Sequence, residues 1–386
     1  MPYATGRTFL DADSHIMELP NFLRDNADPG IRHRIPLLEL DGGDRVRARL
    51  EALDERGSHD PATVAELVAL GDGLIAGPKG YDALGAFDSG ERTRALDLLG
   101  FDRQWVFATF SAGAIFTTID DPEVMAAAAT AHNRGMAEFC RPDDRLWGVG
   151  ATALDDPVAA VAELRHIIDL GLRAVWVPHR PAGGRSPGHN DLDPFWALAA
   201  EAGVTVVLHV GGHPLQLEPA WMNTGRRVPT DWLGGGENVR GKDMIALHQA
   251  AETFVGTLVL DGVLERHPGL RIGVVELGAG WVPAMVRRLD QIAEIWKRSE
   301  PELATLTRRP SEQITAQMGF TPYPFEDVGA MIRESNPDLY LFSSDYPHIE
   351  GGRNPLGRFE SSLGDLGDEV REKFYHLNMD RLVSVV

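Results

Sequence analysis

Asp11, Asp13 and His15 occupy alternate positions where the apolar stretch from Arg7 to Asp13 runs on into Ser14 and His15. Alternate side chains on a strand share a face, so two carboxylates and an imidazole would converge at one end of it. Buried together, such groups need a cation or one another. A divalent metal held by His nitrogen and Asp oxygen is one reading. A solvated turn capped by Asp and Ser is the other.

Other ionisable residues close other apolar runs. His209 ends Val204-Thr-Val-Val-Leu-His209, Glu276 ends Leu270-Arg-Ile-Gly-Val-Val-Glu276, and Asp345 follows Leu339 to Ser344, with His348 just beyond it. His179 follows the run Arg173 to Val177. Singly, each has a bland reading: a satisfied core histidine, a cap at a turn, a salt-bridge partner. Jointly they terminate strands at one edge, where the catalytic groups of a barrel collect. Independent caps have no reason to favour that edge, so the set points to a site.

The stretch Gly184-Arg185-Ser186-Pro187-Gly188 formally matches GxSxG. A nucleophile elbow needs a strand leading into the serine and a helix leaving it. Here a Pro- and Gly-rich loop surrounds Ser186, so the match is read as a loop. The sequence contains no HExxH, P-loop or CxxC motif.

The elements that must position these residues are short apolar runs separated by helical patterns. Eight runs stand out: Arg7–Asp13, Arg103–Thr109, Arg145–Thr152, Arg173–Val177, Val204–Val210, Leu270–Glu276, Gln313–Phe320 and Leu339–Ser344. Their Val, Leu, Ile and Phe content suits strands buried on both faces of a parallel sheet. Helices are expected over Pro122–Phe139 after Asp120-Asp121, from Asp156-Pro157 to near Gly171, and from Asp193-Pro194 to near Gly203. Eight strands alternating with helices predict an α/β fold, a (β/α)8 TIM barrel. A doubly wound open sheet is the runner-up, but no GxGxxG follows any strand.

A barrel needs about 250 residues. The excess falls in two expected insertions within one domain over residues 1–386. Residues 19–90, after the first strand, are acidic and read as irregular; residues 211–243 follow the fifth strand. Both would lie over the active-site face, as lids or subunit contacts.

Composition excludes several classes of function. Among 386 residues, 37 Lys and Arg stand against 57 Asp and Glu, a net charge of −20. So negative a surface repels phosphate backbones, and nucleic acid is not an expected partner. The single cysteine, Cys140, permits no internal disulfide and suits a reducing compartment. No apolar stretch approaches the roughly 20 residues that cross a bilayer, and the first residues lack the core of a signal peptide. A cytoplasmic protein without membrane contact is expected.

The ordered set of motifs resembles the amidohydrolase-related proteins of the aminocarboxymuconate-semialdehyde decarboxylase type. The resemblance runs from Leu10-Asp-Ala-Asp-Ser-His-Ile-Met-Glu18 to Phe342-Ser-Ser-Asp-Tyr-Pro-His348. It includes His132-Asn-Arg134, Pro142-Asp-Asp-Arg-Leu146, His209 and the segment His267 to Trp281. It implies a metal-dependent barrel. The first-strand ligands would be Asp13 and His15, joined by His209 and Asp345. Two positions depart from the family pattern. The first-strand pair is Asp-x-His rather than His-x-His or Glu-x-His. The sixth strand ends in Glu276, where the decarboxylases commonly carry a catalytic histidine.

The resulting expectation is one divalent ion, zinc first and manganese second, held by Asp13, His15, His209 and Asp345. Asp345 doubles as proton acceptor, Glu276 is the acid/base, and His348 and His179 come next. Trp176, Trp281, His179 and Arg180 are expected to line a pocket for a small aromatic or unsaturated acid, with core packing the bland reading of the tryptophans. Non-oxidative decarboxylation leads. Metal-dependent hydrolysis by activated water is the alternative, and a non-catalytic binding barrel the third reading. A small-molecule substrate and a homodimeric assembly complete the expectation.

Overall fold

Strand order follows chain order. In the computed structural model, which describes residues 1–38, 43–214, 217–227 and 239–383 (backbone alone at 43–47), seven strands form one parallel sheet. They are β1 (Leu10–Ile16), β2 (Arg103–Ala108), β3 (Leu146–Ala151), β4 (Ala174–Trp176), β5 (Thr205–His209), β6 (Ile272–Val275) and β7 (Met318–Phe320). Apart from Arg103 at the start of β2, every strand residue is buried. That burial accounts for runs of apolar residues without alternation.

The eighth expected run departs from a regular strand. Pro337–Leu339 forms a single 3-10 turn, and the chain then extends past both edges of the sheet. Tyr340 bridges Phe320 of β7, and Tyr346 bridges Ser14 of β1, both in parallel. Leu341 N–H donates to Phe320 O (2.9 Å), Ala12 N–H to Phe342 O (3.0 Å) and Asp345 N–H to Asp13 O (2.8 Å). The curled sheet is thereby closed by a segment too bent to form a full ladder.

The helices lie where capping chemistry places them. Those between β1 and β2 are α1 (Phe22–Asn26), α2 (Gly43–Arg56), α3 (Pro61–Ala69) and α4 (Ser89–Leu99). Residues 19–90 are therefore largely helical, contrary to the irregular reading. Their charged, Gly-punctuated sequence hides short helices such as α3, which Asp60 caps from outside. Further on come α5 (Ser111–Thr117), α6 (Pro122–Cys140), α7 (Pro157–Asp169) and α8 (Asp193–Ala202). Asp121 and Asp156 accept the first free N–H groups of α6 and α7, each with Pro at the first helical turn. Gly203, at φ 65°, ends α8 in the left-handed conformation. The seventh expected run divides: Pro310–Gln317 is helix and only Met318–Phe320 is strand. Residues 215–216 and 228–238 of the expected 211–243 insertion, including Trp232 and Gly234 to Gly236, lie outside the described residues.

Candidate active site

The strand ends deliver six ionisable side chains to one buried place. Oxygen and nitrogen atoms of Asp13, His15, His209 and Glu276 all lie within 4.8 Å of one another, and so do those of His15, Glu276, Asp345 and His348. His15 Nε2 is 3.1 Å from Asp13 Oδ1 and 3.5 Å from Asp345 Oδ1. His209 Nε2 is 3.4 Å from Asp13 Oδ1 and 3.5 Å from Glu276 Oε2. His348 stacks on His15 with ring centroids 3.8 Å apart.

Backbone strain marks the same place. Among the described residues the non-glycine residues at positive φ are Glu276 (52°) and Asp345 (53°). A left-handed non-glycine residue costs of order 1–3 kcal/mol and persists where its surroundings hold it. Glu276 N–H donates to Thr321 Oγ1, and Tyr323 Oη–H donates to the Glu276 carbonyl. Asp345 is fixed through its N–H on Asp13 O. Both turns aim a carboxylate into the cluster.

Hydrogen bonds also decide which atoms face inward. His209 Nδ1 lies 2.9 Å from the Val210 carbonyl, which can only accept. The proton is therefore on Nδ1, and the Nε2 lone pair faces Asp13 and Glu276. Thr109 Oγ1 donates to Ile16 O (2.8 Å), so His348 Nε2–H must donate to Thr109 Oγ1 (2.9 Å). That leaves His348 Nδ1 as the acceptor 3.0 Å from Asp345 Oδ1.

Electrostatics separates the carboxylates. Burial raises Asp13, but the adjacent imidazoles of His15 and His209 outweigh it and hold its carboxyl below the usual range. Asp345 is pushed well above it by burial and by the neighbouring charges of Asp13 and Glu350. Burial, reinforced by His348, lowers His15 to about 3, so its imidazole is neutral, as a metal ligand must be. Neither oxygen of Asp345 and neither nitrogen of His15 meets an aligned hydrogen-bond partner. Buried donors left so are costly unless a cation collects them. The cluster thus fits a divalent ion in burial and in donor type, and in the protonation of Asp13 and His15.

Residues 15–384 match the amidohydrolase family. The chain belongs to that family. It is 28% identical over 240 residues to gamma-resorcylate decarboxylase of Rhodococcus jostii (strain RHA1). The match covers 56% of this chain and 64% of that enzyme, which is less than two thirds of its length. An amidohydrolase from Mycobacterium avium subsp. paratuberculosis K-10 superposes with a TM-score of 0.75 at 24% identity, over 99% of this chain and 100% of that one. The 5-carboxyvanillate decarboxylase of Novosphingobium aromaticivorans DSM 12444, solved with manganese and 4-hydroxy-3-methoxy-5-nitrobenzoic acid, gives 0.63 at 17% identity, over 98% and 96% of the two chains. The family implies a divalent metal, and the cluster offers the place for it.

The remaining expected residues divide. Trp176 packs against His209, ring centroids 4.8 Å apart, and lines a cavity of about 310 Å³ with Thr109, Phe110, Gly113 and His213. His179 is buried beside His213 and held to about 3 by that burial, hence neutral. Arg180 is not aimed at this cavity. Its guanidinium makes two hydrogen bonds, 2.7 and 2.8 Å, to Asp155, because the residue follows the β4 turn outward. Trp281 donates to the carbonyls of Leu277 and Gly278 and meets Phe320 edge-on, so it braces the β6 turn. Asp11 serves as a strut. A register shift between Asp11 and Ser14 separates it from Asp13, and it accepts from Ser344 N–H, Ser344 Oγ–H and Gln104 Nε2–H.

Several residues around the site escaped sequence reasoning. Glu18, fully buried, accepts from the N–H groups of Thr109 and Ser111. Arg92 donates to Gly85 O and to the His15 carbonyl, clamping the end of β1. Lys79 buries its Nζ without a hydrogen-bond partner near Asp345 and Glu350, and burial lowers it to about 8. Only Thr109 was within reach, since it follows β2 as His209 ends β5.

Proposed function

We propose that the protein is a metal-dependent, non-oxidative decarboxylase of a small aromatic acid. What carries the reading is one juxtaposition. The buried cluster adjoins the cavity through Thr109 and Trp176, in a chain whose relatives include a gamma-resorcylate decarboxylase. A volume of about 310 Å³ suits a single substituted ring.

Asp13, His15, His209 and Asp345 would hold the ion, zinc first. The two carboxylates in that set make it oxygen-rich enough for manganese as well. Bound there, a divalent ion neutralises anionic oxygens of the substrate and lowers the pKa of water. The protein's own residues do the rest. Trp176 and Phe110 enclose the ring and exclude water. Asp345 also lies 3.0 Å from His348 Nδ1 and would act as proton acceptor, passing a proton on to that nitrogen. Glu276, on its strained turn, is the acid/base closest in placement to the family's histidine. A proton delivered to the ring carbon forms the C–H bond. The C–C bond to the carboxylate then breaks as carbon dioxide leaves, and its electron pair restores the aromatic ring.

We place this activity in one barrel domain spanning residues 1–386, carrying the additions 19–90 and 211–243. The expected setting is a homodimer in the cytoplasm, acting on a small molecule and not on nucleic acid. Among the described residues no helix is long and apolar enough to cross a membrane.

The test is to load the protein with zinc or manganese and offer hydroxybenzoates in parallel with aryl esters and lactones. Carbon dioxide release from an acid is expected, with deuterium from heavy water at the vacated ring carbon. Hydrolysis without carbon dioxide release would assign the water-activating alternative. Failure to retain metal or to turn over either panel would leave the binding barrel.

A further inference from the structure

Gly113 is the third residue of α5, the helix that walls the cavity beside the cluster. Glycine inside a helix is destabilising relative to alanine, so its presence needs a reason. Two ordinary reasons fail here. The residue does not have positive φ, so an L side chain fits its backbone. Nor would a Cβ collide, because the nearest atom is the Gly211 carbonyl oxygen at 4.0 Å, an ordinary contact.

Other glycines show what packing demand looks like. A Cβ on Gly135 in α6 would stand 2.5 Å from Phe22 Cζ. One on Gly150 would stand 2.9 Å from Asn133 Oδ1 and from Ile167. Gly113 has no such neighbour and borders empty space instead. That space is shared with Thr109, Phe110, Trp176 and His213; of these, Thr109 is hydrogen-bonded to His348 and Trp176 packs on His209.

We propose that Gly113 is a specificity-determining residue: its missing side chain holds open the part of the cavity that takes a ring substituent of the aromatic acid. The inference rests on the decarboxylase reading of the same site. The nearby wall is Phe110, Trp176 and Val210, with Thr117 one helical turn on. Thr117 spends its hydroxyl proton on the Gly113 carbonyl (2.8 Å). An apolar alkyl or alkoxy group therefore suits this corner better than a charged one.

The experiment compares wild type with Gly113→Ala and Gly113→Leu on paired substrates, a bare hydroxybenzoate and the same acid with an alkoxy group on the ring. KM for the alkoxy acid should rise about ten-fold or more in the leucine variant and less in the alanine variant, the size of effect a filled apolar pocket gives. KM for the bare acid should change by less than about three-fold and kcat by about two-fold at most. The melting temperature of Gly113→Ala should equal or exceed that of wild type, which a packing role would not allow. Equal losses on both acids, or a lower melting temperature for Gly113→Ala, would overturn the proposal alone. A wild type that releases carbon dioxide from neither acid would overturn the decarboxylase reading and this inference with it.

Discussion

The two ends of the sheet handle charge in opposite ways. At the carboxyl ends of the strands, Asp13, His15, His209, Glu276, Asp345 and His348 are buried together, and acids face imidazoles. At the amino ends, apart from the buried strut Asp11, charges remain at the surface and meet ordinary partners. Arg141 pairs with Glu138 at a groove of about 950 Å³, Arg145 pairs with Asp97, and Arg103 and Arg173 lie over the ring of Trp147. The same strands thus carry one end arranged for solubility and one that would be costly without a bound cation. Strain follows the division, since Glu276 and Asp345 both lie at the costly end.

The difference breaks most sharply at His209. His209→Ala should bring bound metal from about one ion per chain to background and abolish detectable turnover, because Nε2 faces the centre of the cluster. Elemental analysis and a carbon dioxide assay read both. Glu276→Gln should by contrast keep the ion and lower kcat by about 10²–10⁴-fold, the contribution of a positioned acid or base. Loss of metal from Glu276→Gln would make that carboxylate a ligand instead. Metal retained by His209→Ala would dissolve the contrast between the two ends.

A shell of buried imidazole extends the comparison beyond the cluster. His132 of α6 lies between Ser111 Oγ (2.7 Å) and the Val149 carbonyl, and burial lowers it to about 4. A folded-state pKa below the unfolded value means that the unfolded chain takes up the proton first as pH falls. Stability should therefore be unaffected above about pH 6.5 and decline from there toward pH 4, by about 2 kcal/mol at pH 5. His132→Gln should be less stable at pH 7 and yet lose less between pH 7 and pH 5 than wild type. Denaturant titrations at the two pH values check it, and an equal loss in both proteins would count against a neutral buried His132.

Much of this division was legible in the sequence. Apolar runs ending in His209, Glu276 or Asp345 place an ionisable group at a strand end, and strand ends of a parallel sheet share an edge. Asp121, Asp156 and Gly203 marked helix ends because each satisfies or relaxes the backbone locally. What stayed hidden was set by partners distant in the chain. Asp11 and Asp13 look equivalent until a register shift in β1 and the Ser344 hydroxyl separate them. Arg180 reads as a pocket cation until Asp155 takes both ends of its guanidinium. Lys79 reaches the site from a loop and Arg92 from α4, both in polar sequence that resembles any surface.

The smallest effects should come from the amino-terminal end. The Arg103 guanidinium lies 4.7 Å from the centroid of Trp147, and that of Arg173 lies 5.8 Å away. Exposed cation–π pairs contribute about 0.5–1 kcal/mol, falling with distance. Arg103→Ala should therefore lower stability by up to about 1 kcal/mol, part of it from aliphatic cover lost over the indole. Arg173→Ala should lower it by less. Neither should change kcat or metal content, because neither charge lies at the end of the sheet where the cluster does. A ten-fold fall in kcat in either variant would mean that the two ends are coupled through the strands, and that the division of labour along the sheet is incomplete.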